Sequence, residues 1–434
     1  NIYFYNVTQN GTLAQSTTNF GSSNSNITVG SAASPCTWNG SLTLSAPNLN
    51  LAYSTFNGAS NTFSMNGTAA NQNCTGGNTF ATGTTSYFSN TGTMNWYLAV
   101  SAADDYNGDV VFNRASAAGL HPAYNTNCTF AGNITVGTFS DSINFATGTN
   151  GRVTIDGNAS ALFTYGGTKT NTIKRLTMNK TSGNFTLYKN IGVPAGGDLV
   201  LSSGKIRTSA SAMLFMMDEI NTVTSLNDAS TSYIDGPFRW DVTNNTTRTL
   251  HFPIGKNTTC RPVTLTVRHS NNTSYSYEAQ VFNASANALG WTLPAGMNNV
   301  SVAHYWDIDR YNTSTWTIDP TTNISGNQAI TLFYGANDNV INPSVLTICK
   351  NTHTSLTTWS DIGGTGATIT SGSITSTSSP AAFNSFSRFT LGFNGPPNPP
   401  IGRDSSRCGT GIVEINANSQ AGEFVDWYAS PTGG

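Results

Sequence analysis

Charge is what this chain has least of. Asp, Glu, Lys and Arg make up 9% of its 434 residues, against about a quarter in ordinary soluble domains. Asn, Ser, Thr and Gly take their place. With a net charge of −2 and no basic patch, nucleic acid is excluded as an expected partner. Low charge does not mean disorder here. Hydrophobic residues reach 37% and aromatics 11%, enough apolar surface to bury a core. Few lysines and many neutral hydrogen-bonding side chains suit an extracellular β protein with rows of Asn, Ser and Thr on its faces.

Other absences narrow the field. No apolar run approaches the ~20 residues of a membrane-spanning helix. The chain opens at Asn1 without a signal peptide, so it reads as a secreted chain whose leader has been removed. The five histidines (His121, His251, His269, His304 and His353) fall in no HExxH, no GxSxG occurs, and no phosphate-binding glycine loop follows a strand. The six cysteines, Cys36, Cys74, Cys128, Cys260, Cys349 and Cys408, form no CxxC pair. That spacing disfavours zinc, and disulfides in an oxidising place are the better reading. Asn-x-Ser/Thr sequons such as Asn6, Asn26, Asn133, Asn184 and Asn245 permit glycosylation, but a chain this rich in Asn, Ser and Thr generates them by chance.

What is present is a repeat. Tyr106-Asn107-Gly108 leads into the alternating run Asp109-Val110-Val111-Phe112, and Phe130-Ala131-Gly132 leads into Asn133-Ile134-Thr135-Val136. An aromatic, a small residue, a glycine and a period-2 strand form one unit. It recurs from Trp38 through Phe56, Phe80, Tyr106 and Phe130 to Ile155, in steps of 18, 24, 26, 24 and 25 residues. Short strands at a period in the twenties, without helices, are what a β-solenoid requires. Antiparallel hairpins return after 2 to 5 loop residues and fit these steps less well. Trp38, Phe56, Phe80, Tyr106, Phe130 and Ile155 are then expected to form a core ladder inside the coil.

The fold expectation is all-β: a parallel β-solenoid (a right-handed β-helix) over residues 1–208, an antiparallel β-sandwich over 209–394, a proline-rich linker over 395–404 and an incomplete immunoglobulin-like module over 405–434. Met213 to Met217 reads as a last buried rung or a plug on the open end of the coil. Longer strands from about residue 230 mark the sandwich.

Chemistry-bearing constellations are few. Asp307 and Asp309 lie two apart on an expected strand, hence on one face. A glycosidase needs such a carboxylate pair, but an exposed strand face beside Arg310 is the plainer account, and no catalytic site is expected. Asp105, Asn107 and Asp109 alternate as oxygen ligands do in calcium loops. Gly108 is misplaced for such a loop and no bidentate Glu follows, so a turn held by Asx hydrogen bonds competes with calcium. Structural calcium is the one cofactor left open. Trp96, Trp291, Trp316 and Trp359 could stack on sugars or sit in a core.

The motifs Tyr106-Asn107-Gly108-Asp109-Val110, Thr129 to Val136 and Leu201-Ser202-Ser203-Gly204-Lys205-Ile206 resemble repeats of large secreted surface proteins of Bacteroidetes. Ser232 to Pro237, Phe252 to Lys256, Arg261-Pro262-Val263, Tyr305 to Arg310 and Phe389 to Gly392 are similar to the module that follows them. Cys408-Gly409-Thr410-Gly411 to Asp426-Trp427-Tyr428 resembles the start of the immunoglobulin-like modules of such proteins. The resemblance covers about residues 30 to 434. It implies export by the type IX secretion system, further modules beyond Gly434, and a structural or adhesive role at the cell surface, as in adhesins of gliding cells. The implied partners are the secretion machinery and a surface anchor, with surface polysaccharide or self-association as further contacts. A carbohydrate-binding region of a secreted polysaccharide-degrading enzyme, and a self-assembling filament or sheath subunit, are the alternatives. The family usually carries an aromatic where Cys260 stands and no cysteine on the strand of Cys349. These paired departures imply a Cys260–Cys349 disulfide, with Cys36–Cys74 a second candidate. Cys408 opens a module whose closing cysteine would lie beyond Gly434, and is expected to be unpaired within the chain.

Overall fold

Tyr106 sits directly beneath Phe80 and above Phe130, each at the inward position of a two- to four-residue strand. A computed structural model describes residues 2–9, 13–14, 26–67, 72–90, 95–114, 119–137, 142–224, 231–243, 245–325, 328–340, 342–352, 355–377 and 385–394, with 401–403, 409–410 and 416–418. The protein is all-β, and its first part is a parallel β-solenoid of about nine turns. One turn comprises Trp96–Tyr97, Asp105–Tyr106 and Asp109–Arg114; the next comprises Leu120–His121, Asn127–Phe130 and Ile134–Val136. All three sides pair parallel with the turn above.

Alternation dictates the packing. In the strand Thr85–Asn90 every second residue is buried, because successive side chains of a strand point to opposite faces. Corners must be tight where one strand turns into the next. A Cβ at Gly108 would stand 2.4 Å from the carbonyl oxygen of Thr84, and one at Gly132 would stand 2.4 Å from that of Gly108. Only hydrogen fits where stacked corners approach so closely.

A second inward row lies two residues before the aromatics and is polar in its middle. Asn78 Oδ1 accepts from the Ser54 amide at 3.1 Å, and Asp104 Oδ1 accepts from both the backbone amide and the side chain of Asn78 at 2.9 Å. Tyr106 Oη donates to Asp104 Oδ2 at 3.2 Å. Burial pushes the Asp104 carboxyl up to about 6 from 3.8, against the pull of these hydrogen bonds. The unfolded chain therefore releases this proton first. Asp104 favours folding most below about pH 4, and that contribution falls by roughly 3 kcal/mol as pH rises to about 6. Urea midpoints at pH 4.5 and 7.5 are expected to show a larger loss in the wild type than in Asp104→Asn; equal losses would refute the assignment.

The parallel ladder does not stop at residue 208. Leu214–Met216 pairs parallel with Ile191–Val193 on one side and with Phe238–Trp240 on the other, so it is a rung and not an end plug. Lys205–Arg207 pairs parallel with Tyr233–Asp235, and Ile234–Asp235 with Ile254–Gly255. The expected boundary thus falls inside the solenoid, because parallel pairing carries on through these strands.

The change of direction happens within one sheet. Phe238–Val242 runs parallel to its solenoid neighbour and antiparallel to Tyr275–Phe282. Tyr305–Asn312, Arg388–Asn394, Leu346–Thr352 and Ser355–Asp361 extend that sheet antiparallel. The exposed edge of this solenoid face is thereby paired and not left as a template for aggregation. A separate antiparallel sheet comprises Arg248–Phe252, Val263–Val267, Ala329–Tyr334 and Gly372–Thr375. Its inward residues Leu250, Leu265 and Leu332 share one continuous core with the solenoid. Ile401–Arg403, inside the expected linker, pairs antiparallel with Asn416–Asn418. The expectations for Gly395 to Pro400, for Cys408 and for the rest of the immunoglobulin-like module lie outside the described residues.

Candidate functional site

The ladder residues are interior. Trp38, Phe56, Phe80, Tyr106, Phe130 and Ile155 are in register on successive turns and all at most 1% exposed. The rings of Phe56, Phe80, Tyr106 and Phe130 stack at centroid distances of 4.6, 4.9 and 4.7 Å, within 10° of parallel. They are a spine and face no ligand.

The expected disulfides do not form. No disulfide links Cys36, Cys74, Cys128, Cys260 and Cys349, and all five are buried. Cys36 and Cys74 lie two turns apart and on different sides of the coil, so their separation exceeds the roughly 9 Å of two strand spacings and the ~7 Å Cα limit of a disulfide. Cys74 instead donates to the Leu49 carbonyl at 3.0 Å and accepts from Trp96 Nε1 at 3.2 Å. Cys260 and Cys349 are separated by the architecture. Cys260 ends a hairpin at the last parallel rung, whereas Cys349 packs with Met297 and Trp359 on the antiparallel sheet, its thiol 3.1 Å from the Met297 sulfur. Burial pushes the Cys74 and Cys128 thiols up to about 12. A maleimide is expected to label these five cysteines only in denaturant; rapid labelling of the folded chain would contradict this packing.

The carboxylates among the calcium candidates are engaged by neighbouring side chains. Asp105 accepts from Asn107 Nδ2 at 2.8 Å and from Thr129 Oγ1 at 2.6 Å, while Asp109 accepts from the backbone and side chain of Asn133 at 2.8 and 3.1 Å. Their oxygens tie each turn to the next. Among the described residues no group of three or more His, Cys, Asp or Glu could hold a metal ion. A corner depression of about 340 Å³ runs past Thr84, Gly108, Asp109, Gly132, Asn133 and Gly157. Small residues line it, and Asn133 already engages both Asp109 oxygens.

The four described histidines make structural contacts. His251 meets Thr264 Oγ1 at 3.2 Å and His269 meets Tyr277 Oη at 2.8 Å. His121 stacks on Tyr97 at 4.9 Å. His304 Nδ1 lies 2.6 Å from Asp338 Oδ1, and Arg261 Nε donates to Asp338 Oδ2 at 2.8 Å. The Asp338 side chain is 0% exposed, so this network holds the core and meets no substrate. His353 lies outside the described residues.

The remaining functional side chains gather on the outward face of the mixed sheet. Asp307 and Asp309 share that face of Tyr305–Asn312, as the alternation requires. Register brings in two residues that the sequence reading missed: Glu278 stands opposite Asp309, and Gln280 opposite Asp307. Only the pairing of two distant strands reveals them. Arg239 stands opposite Glu278 on the other side.

Two arginine–aromatic stacks flank these carboxylates. The Arg239 guanidinium lies 3.9 Å over the Phe215 ring, and Trp316 covers it at 4.8 Å. Arg388 pairs with Asp307 at 2.8 Å and lies 5.1 Å over Tyr305 and 5.5 Å over Trp291. Burial, then the Asp309 charge, pushes the Glu278 carboxyl up to about 7, although Arg239 opposes the shift. Burial lifts Asp307 to about 6 even beside Arg388. This face holds acceptor oxygens, a carboxyl raised by burial and aromatic planes.

Of the four tryptophans singled out as sugar platforms, Trp96 and Trp359 are core. Trp291 is half-buried, and Trp316 is 55% exposed. Compared with known proteins, the chain matches no family model, no curated protein and no solved structure.

Proposed function

We propose that this chain is a structural and adhesive protein of a cell surface, exported by a type IX-like route, with no catalytic activity. In this reading the solenoid is a stiff spacer. The two antiparallel sheets form a sandwich at its end, and the tail begins an immunoglobulin-like module.

The observation that carries the reading is the outward surface of the solenoid. Thr37, Thr55, Thr79, Asp105, Thr129, Thr154 and Thr177 form one row in register, directly beside the stacked spine. Neighbouring turns bond through such rows, as in Thr164 to Thr135 at 3.0 Å and Asn57 to Asn39 at 3.2 Å. No Asp, Glu, Lys, Arg or His occurs before Asp104. A mostly uncharged, cross-linked surface over a stacked core supports a mechanical role more than a catalytic one. Among the described residues no helix is long and apolar enough to cross a membrane.

Two measurements test this. Antibody labelling of intact cells of the source is expected to decorate their surface, and beads coated with the full chain are expected to adhere to surfaces that uncoated beads do not bind. Labelling only after lysis, together with inert beads, would overturn the proposal.

A further inference from the structure

We infer that the outward face between Trp316 and Trp291 is a binding site for a neutral saccharide chain, with the exposed Trp316 ring as its principal stacking platform. This names the ligand of the adhesive reading and rests on it.

Trp316 is unlike the other described tryptophans. Trp38, Trp96, Trp240, Trp306 and Trp359 are buried, while Trp316 leaves more than half of its surface in water at the tip of a hairpin. Its orientation is held from beneath by Arg239, which rests in turn on Phe215. Phe215 reaches this face because the neighbouring strand carries Gly192: a Cβ there would stand 2.5 Å from Met217 Sδ and 3.3 Å from Phe215 Cζ. Exposed Met217 and Ile318 add apolar surface. An aromatic ring fixed on a cation and open on its other side suits the C–H face of a sugar ring.

The polar groups suit hydroxyls. Arg239, Glu278 and Asp309 occupy three adjacent strands in register, a span of about 10 Å. Carboxylates accept from hydroxyl donors, and Gln280 and the arginines donate to ring and hydroxyl oxygens. Asp241 and Asp307 pair with Arg239 and Arg388, which leaves the Asp309 charge in excess on the face beside a Glu278 carboxyl raised by burial. The face therefore repels uronates, sulfated glycans and phosphates, and favours a neutral chain. At the far end Trp291 and Tyr305 flank Arg388 as a second platform. Platforms at both ends with acceptors between them match an extended oligosaccharide more closely than a peptide strand, which would need an unpaired sheet edge.

The test is an array of neutral hexasaccharides (β-1,4-glucan, β-1,4-mannan, β-1,4-xylan, α-1,4-glucan and N-acetylated chitin) probed with the full chain and followed by titration calorimetry. At least one class is expected to bind and to shift tryptophan emission. Trp316→Ala is expected to weaken it at least about tenfold without changing the far-ultraviolet dichroism, because the ring is exposed. Glu278→Gln is expected to weaken binding and to flatten its pH dependence near neutrality, while Thr129→Ala on the solenoid leaves it unchanged. A blank array, preference for a polyuronate, or equal affinity in Trp316→Ala and the wild type would overturn the inference. A blank array with adhering beads removes this inference and leaves the adhesive reading standing; a blank array with inert beads removes both.

Discussion

Replacing Phe130 by alanine is expected to cost about 3 to 5 kcal/mol of stability. Phe130 is fully buried, stacks on Tyr106 at 4.7 Å and meets Phe112 edge-on at 6.4 Å. Removing the ring opens a cavity that the rungs above and below cannot fill, since their own rings are held by the same register. The stacked contact adds about 0.5 to 1.5 kcal/mol beyond burial. Thr129→Ala, one residue away on the outward row, loses its hydrogen bond to Asp105 and is expected to cost about 1 to 2 kcal/mol, clearly less than the Phe130 change. Each turn contacts chiefly its neighbours, so the damage is local. Hydrogen exchange is expected to quicken in the turns holding Tyr106 and Ile155, and far less near Trp38. A loss below about 1 kcal/mol, or exchange raised evenly along the solenoid, would show that the stack is not its spine.

Replacing Asp338 by alanine is expected to have a comparable effect, about 3 to 5 kcal/mol, for an electrostatic reason. The carboxylate accepts from Arg261 Nε at 2.8 Å and from the Gly335 amide at 2.9 Å, and lies 2.6 Å from His304 Nδ1. Its hydrogen bond and charge interaction with His304, then the Arg261 charge, hold its carboxyl below the ordinary value although burial pushes the other way. Without it the Arg261 guanidinium, whose side chain is 5% exposed, remains buried and uncompensated. Because the folded carboxyl titrates low, its contribution is present above the unfolded value and is lost as pH falls through the folded one. The double variant Arg261→Met with Asp338→Leu is expected to recover part of the stability, since the arginine charge is then not stranded although His304 still loses its acceptor. Chemical denaturation of both variants checks this. A double variant as unstable as Asp338→Ala would show that packing, not charge, is at stake.

Some of this molecule is legible in the residues alone. The aromatic steps from Trp38 to Ile155 and the alternation beside them specify parallel stacking of turns, because the period-2 pattern of a strand is a local property. The glycines at 108 and 132 follow from the same repeat, and the shared face of Asp307 and Asp309 needs only the period of their own strand. What required the tertiary structure was everything that depends on which strands meet. Cys260 and Cys349 share a sequence region but sit in different packing groups, and Cys36 and Cys74 are separated by turn height. Glu278 comes opposite Asp309 only through the register of two distant strands. Trp316 and Trp96 are the same residue type, yet one caps Arg239 in water and the other lies inside a turn. Alternation says which way a side chain points along its strand; only the assembled sheets decide what it then faces.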